Sequence, residues 1–139
     1  YKRQGLNRLG LENVAQSAIE PDEMLPAIAQ GAIGIEWREE DKQITDILQK
    51  IHHTETEQRL NVERAFLAEL DGSCQTPIAG LAVIEGSSLK FTGQVLRTDG
   101  SESISETAHC NIEDGPDLGR EMARNILAKA GPNFFDWKD

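Results

Sequence analysis

Residues 78–109, IAGLAVIEGSSLKFTGQVLRTDGSESISETAH, decide the fold. Three runs, IAGLAVI, LKFTGQVLRT and ESISETAH, are separated by the short polar turns EGSS and TDGS. Turns of that length reverse the chain between antiparallel neighbours, so the spacing predicts a three-stranded meander. A sheet with one apolar face needs a second layer, and the flanking sequence supplies it on both sides. Upstream, Leu60, Ala65, Phe66 and Leu70 mark a helical stripe that starts behind the capping-box pair Thr54 and Glu57 and stops at Gly72. Downstream, Pro116 suits the first turn of a helix whose face is Leu118, Met122 and Ile126 with Ala123 and Leu127, and Gly131-Pro132 stops it. The tail NFFDWKD is aromatic and is predicted to pack back. The fold class is α+β, a three-stranded antiparallel sheet packed by helices.

The first fifty residues are less regular. A short helix is predicted around Glu12 to Ile19, ended by Pro21, and a strand from about Ala32 to Trp37. Ile44, Ile47, Leu48 and Ile51 then recur at helical spacing behind an acidic EED first turn that suits the positive end of the helix dipole.

The chain has 139 residues, enough for one domain with a modest core. Its formal charge of −10, from 24 acidic and 14 basic residues, argues against a general nucleic-acid or anionic-membrane binder, because those partners call for a basic field. The exception is YKRQGLNR, where Lys2, Arg3 and Arg8 stand without an acid, leaving −13 on the rest (−10 minus +3). Cys74 and Cys110 show neither CxxC nor Cys/His ligand spacing, so no zinc site or disulfide framework is read, and a reducing compartment is expected. The most apolar stretch, LPAIAQGAIGI, is far below the roughly 20 residues of a membrane span. The chain opens on Tyr1 with neither an initiator methionine nor a signal pattern, and is expected to be one piece of a longer or cleaved chain.

Among candidate sites, Cys74 sits in LDGSCQTPIAG between a helix pattern and a strand pattern. A cysteine there is ordinarily a small packed residue. The preceding helix carboxyl end disfavours a thiolate, so a reactive Cys74 calls for a strongly electrophilic partner and a bond made once and kept. His52-His53 with Glu55 and Glu57 invite a metal reading, but adjacent helical residues diverge and no HExxH spacing exists; no metal site is assigned. QGAIGIE lacks the dinucleotide pattern. Arg8 and Arg64 are surface charges able to bind carboxylates through paired hydrogen bonds. Cys110, beside His109 at a strand end, reads as structural.

Four blocks, NRLGLENV (7–14), LPAIAQGAIGIEWR (25–38), HHTETEQRLNVERAFLAELDGSCQTPIAG (52–80) and KAGPNFF (129–135), resemble the carboxy-terminal part of the porphobilinogen deaminase, or hydroxymethylbilane synthase, family. The most specific element is ERAFLAELDGSCQTPIAG, residues 63–80. The GPNFF ending looks most like the plastid-type branch, which favours a plastid location with the cytoplasm as alternative. Family members are transferases that join four porphobilinogen molecules head to tail, releasing ammonia each time, on a dipyrromethane primer fixed to a cysteine by a thioether.

By this resemblance Cys74 matches the attachment cysteine, and deaminated porphobilinogen is an electrophile that even a modestly activated thiol captures. Arg8 matches an arginine that binds pyrrole carboxylates, and Gln30 and Gly31 match a hinge-side step bordering the cofactor. The implied organisation is residues 1–25 ending a second domain, 26–50 returning to a first domain and hinge, and 51–139 forming the cofactor-bearing domain, the first two domains being periplasmic-binding-protein-like. The implied partners are porphobilinogen and the upstream part of the same enzyme, which would be monomeric when complete. The family's catalytic aspartate lies upstream, so this piece alone is expected to be inactive. Two departures stand out: YKRQGLNRLG replaces an alanine-rich apolar run, and Asn7 stands where a lysine is common. The alternative reading is a non-catalytic small-ligand or interaction domain in which Cys74 is structural.

Overall fold

The computed structural model describes residues 3–14, 17–73, 76–131 and 134–135. The helices are α1 (Arg3–Arg8), α2 (Lys42–Leu48), α3 (Thr54–Glu69) and α4 (Gly115–Lys129), and the strands are β1 (Ile78–Glu85), β2 (Ser88–Leu96) and β3 (Ser103–Asn111). Short 3-10 turns occupy Glu12–Val14 and Ile112–Asp114.

The three strands form one antiparallel sheet in the order β1-β2-β3, as the meander predicted. Ile78 pairs with Val95 and Glu85 with Ser88, which leaves Gly86 and Ser87 as a two-residue turn. Gly86 has φ 65°, the positive value that the first central position of a type II′ hairpin turn requires. The second hairpin is wider: Leu96 pairs with Ser103 and Arg97 N–H donates to Glu102 O at 2.9 Å. Inside that loop the Asp99 carboxylate accepts from Ser101 N–H and Oγ–H at 2.9 and 2.6 Å. These hydrogen bonds hold the Asp99 carboxyl below its ordinary range.

Alternation sorts the faces. Leu89, Phe91, Gly93 and Val95 of β2 are buried under α3 and α4, while Lys90, Thr92 and Gln94 face the other way. Thr92 and Thr107, opposite one another in register, hydrogen-bond through their hydroxyls at 3.0 Å. The core centres on Phe66, Phe91, Leu70, Leu89, Met122 and Ile126. Phe66 and Phe91 meet edge to face with ring centroids 5.2 Å apart. Burying one such side chain contributes about 1.5–3 kcal/mol. Phe134 is buried in the same core and Phe135 packs against it, as expected of the tail, while Trp137 lies outside the described residues.

Local expectations met several corrections. The capping box does not form, because α3 begins at Thr54 and its cap is His53, whose Nδ1 accepts from Thr56 N–H at 3.2 Å. The acidic run before α2 likewise ends in a cap, Asp41 accepting from Ile44 N–H, with no acid in the first turn, and Ile51 falls beyond the helix. Of the helix predicted around Glu12 to Ile19, the described residues show the Glu12–Val14 turn and a non-helical 17–19, residues 15–16 lying outside the described residues, and α1 lies earlier. No strand forms over 32–37: Ile33 is 91 % exposed, Trp37 Nε1–H instead donates to Thr45 Oγ1 in α2 at 2.9 Å, and among the described residues no strand pairs with the segment. The helix stop Pro132 lies outside the described residues; α4 ends at Lys129 with Ala130 as its cap.

At the end of α3 the left-handed residue is Asp71, φ 56°, rather than Gly72. Gly72 lies in a crowded spot, where a Cβ would stand 2.5 Å from Ile78 Cδ1 and 2.6 Å from Leu67 Cδ1, two side-chain ends that would have to shift. Asp71→Gly is therefore expected to stabilise the domain by about 0.5 kcal/mol, the relieved backbone strain exceeding the added freedom of the unfolded chain. Denaturant unfolding checks it; a lowered midpoint refutes it.

Candidate functional site

The outer edge of β1 is closed by side chains and by one returning segment. Glu63 sits on the face of α3 that also carries Phe66 and Leu70, 4 % exposed. Its Oε1 accepts from Ala82 N–H at 3.0 Å, and its Oε2 accepts from Ala29 N–H at 2.8 Å. Arg59, one turn earlier, donates Nε–H to Ala82 O at 2.6 Å. Beside them Gly80 N–H donates to Pro26 O at 3.0 Å and Ala27 bridges Ala79. Two side chains of α3 and residues 26–27 thus satisfy polar groups that an edge strand otherwise presents to solvent or to another chain.

This arrangement delivers Gln30 and Gly31 to the surface. Ile28 packs where Gly80 has no side chain: a Cβ there would lie 2.6 Å from Ile28 Cδ1. Ala29 takes φ 57° and Gly31 φ 84°, so the chain turns sharply over the Glu63 carboxylate. Gln30 and Gly31 are exposed and border a recess with Thr56, Arg59 and Glu63. Gly31 also borders a neighbouring groove lined by His52, His53 and Arg64.

Burial raises the Glu63 carboxyl above its ordinary range, against the opposing pull of the Ala82 and Ala29 N–H groups and of Arg59. The folded state therefore binds this proton more tightly than the unfolded chain. Ionised Glu63 costs stability above the folded pKa, and that cost fades as pH falls toward the unfolded value. Sequence reading missed Glu63 and Arg59; the available signal was an acid placed on the apolar stripe of a helix.

Of the candidates read from the sequence, Arg8 ends α1, exposed and without an ion-pair partner among the described residues. Arg64 is exposed on α3 and shares a groove with Gly31. Cys74 lies outside the described residues, as does Lys2. Its flanks are described: Thr76 Oγ1 accepts from Ser73 N–H at 2.9 Å and donates to Ser73 O at 2.7 Å, and Thr76 N–H donates to Ser73 O at 3.2 Å. The Ser73 flank is exposed and follows directly on the carboxyl end of α3. Cys110 is half-buried on β3, and burial, followed by the Asp114 charge, pushes its thiol up, consistent with an inert structural role. His52 pairs with Glu57 at 3.2 Å and the His53 ring is engaged as a cap. Among the described residues no cluster of His, Cys, Asp or Glu is arranged to hold a metal ion, and no helix is long and apolar enough to cross a membrane.

The fold and site define an α+β domain, a meander backed by two helices, with a preceding segment stapled to its open edge. Residues 58–128 match the family model described as porphobilinogen deaminase, C-terminal domain, and residues 3–46 match the one described as porphobilinogen deaminase, dipyromethane cofactor binding domain. The chain belongs to the porphobilinogen deaminase family. It is similar to a porphobilinogen deaminase of Paracoccus denitrificans (strain Pd 1222), 49 % identical over 133 residues, which is 96 % of this chain and 42 % of that protein. A second relative, a porphobilinogen deaminase of Nitrobacter hamburgensis (strain DSM 10229 / NCIMB 13809 / X14), is 44 % identical over 131 residues, covering 94 % of this chain and 42 % of that protein. The chain spans about two fifths of the length of these relatives. Both are bacterial, and neither supports the plastid-type reading of the GPNFF ending.

Proposed function

We propose that this chain is the carboxy-terminal part of a transferase that joins four porphobilinogen molecules head to tail, with loss of ammonia, to give hydroxymethylbilane. The observation that carries the reading is the ordered match of a cofactor-binding model and a C-terminal-domain model across one chain. In this reading Cys74 holds a dipyrromethane primer through a thioether, and the bound group supplies the acceptor end on which the product grows. The described flanks suit such a tether, since Ser73 and Thr76 tie the loop base together and the exposed Ser73 side leaves room for a lengthening product.

The remaining roles belong to this chain's polar surface. Arg8, exposed and without an ion pair among the described residues, offers a guanidinium to pyrrole acetate and propionate groups. Gln30 and Gly31 border the growing product, with Arg64 on the adjoining groove. Residues 1–25 and 26–50 complete two preceding domains supplied largely by the upstream part, which also brings the acid-base chemistry. The exposed Ile33, Ile35 and Ile47 are surfaces for that part to cover. A reducing interior suits a chain whose tether must begin as a free thiol.

Denaturing mass spectrometry of the full-length protein tests the tether. A mass excess of one dipyrrole, lost in Cys74→Ala and kept in Cys110→Ala, is expected; an unmodified mass from a producing host refutes it. Arg8→Glu in the same protein is expected to raise KM about tenfold or more while shifting stability by less than about 0.5 kcal/mol, because an exposed charge does little for folding and much for carboxylate capture. Unchanged kinetics with a lowered melting temperature refutes that role.

A further inference from the structure

We propose that Glu63 is a positioning residue for the Gln30-Gly31 step, holding it against the sheet domain through the Ala29 amide. The proposal rests on the reading of Gln30 and Gly31 given above. Two observations carry it. The first is the nearly complete burial of a carboxylate whose two oxygens each accept one backbone N–H, from segments 53 residues apart in sequence: Ala29 and Ala82 (82 minus 29). The second is the conformation of Ala29, φ 57°, which an L-residue with a Cβ adopts at a cost and retains only where surroundings impose it.

The carboxylate supplies that constraint. In this turned conformation Ala29 N–H donates to Glu63, and Gln30 and Gly31 follow on the exposed side. The same carboxylate grips the centre of β1, so the turn is referenced to a strand paired along its length with β2 rather than to a loop. Arg59 holds the other half of the Ala82 peptide, and its charge favours the ionised form of Glu63. A neutral amide cannot replace the pair of contacts: it offers one acceptor oxygen, and its NH2 group would confront the second N–H donor.

The test uses the full-length protein with porphobilinogen as substrate. Glu63→Gln is expected to lower kcat about tenfold with KM within about twofold, since misplacing a group by about an ångström carries losses of that order or larger. Amide hydrogen exchange over 27–31 is expected to accelerate, with β2 unchanged. Adding Ala29→Gly, which removes the cost of the left-handed turn, is expected to restore part of both losses. Equal acceleration across β1, β2 and 27–31, unchanged exchange at 27–31, or no rescue by Ala29→Gly overturns the proposal. Where the glutamine variant does not fold, Glu63→Asp, which keeps the charge and shortens the reach by one methylene, is read by the same criteria. A bare Cys74 mass in the unmutated protein refutes the tether reading instead, and the exchange comparison then decides the role of Glu63 alone.

Discussion

Replacing Cys74 by alanine in the full-length protein is expected to abolish turnover while leaving the fold intact. The two consequences separate because the sulfur and the loop do different work. The loop base is held by Ser73 and Thr76 through three hydrogen bonds that do not involve the cysteine side chain. Removing one sulfur beside it is expected to change stability by less than about 0.5 kcal/mol. In the proposed function turnover has no such redundancy, because there the tether on Cys74 is what keeps each partly built product in place between additions. Cys74→Ser is expected to fare little better, an alcohol being a far weaker nucleophile than a thiol at neutral pH. Cys110→Ala serves as the control, since burial and the Asp114 charge push that thiol up, away from the reactive thiolate. Product formation by Cys74→Ala above about one per cent of the unmutated rate, with an unchanged unfolding midpoint, would sink the tether.

Gly119→Val is expected to have the largest effect on stability. Helices α3 and α4 approach so closely at this position that a Cβ on residue 119 would lie 2.5 Å from Val62 O and 3.1 Å from Phe66 N. Both are backbone atoms in the middle of a helix, so no rotamer change relieves the clash. The helices must separate, and separation loosens Phe66, Met122 and Ile126 at once. Overpacking of this kind costs about 3 kcal/mol or more. For a domain of this size that corresponds to a fall in melting temperature of about 10–20 °C. Gly34→Ala is the matching control, having open space within 4 Å and no left-handed backbone to strain. A melting temperature for Gly119→Val within about 2 °C of the unmutated protein would show that the helices do not rely on this approach.

The readings that held were those in which a residue pattern and its structural cause are local. The meander follows from two short polar turns, and Gly86 takes the conformation that its turn requires. Helices α3 and α4 follow from apolar stripes of several turns, long enough to outweigh small errors of phase. The readings that failed depend on a partner outside the segment. Residues 32–37 alternate as a strand does, yet a strand exists only beside another, and Trp37 is tied instead to α2. The Thr54–Glu57 pair satisfies the capping-box spacing, but His53 offers an acceptor one residue earlier and caps the helix, which begins at Thr54. Gly72 marks the end of α3 in the sequence and lies in a crowded spot, while Asp71 makes the left-handed turn.

By itself the sequence determined the order α3, β1, β2, β3 and α4, the side of each that is apolar, and the family, because these are written in spacing and in runs of neighbouring residues. Tertiary structure alone decided what Glu63 does. An acid on an apolar stripe looks like a defect until residues 26–29 fold back along β1 and present an N–H to it. A buried carboxylate is tolerable only when donors converge on it, and convergence of Ala29 and Ala82, far apart along the chain, is a property of the folded state.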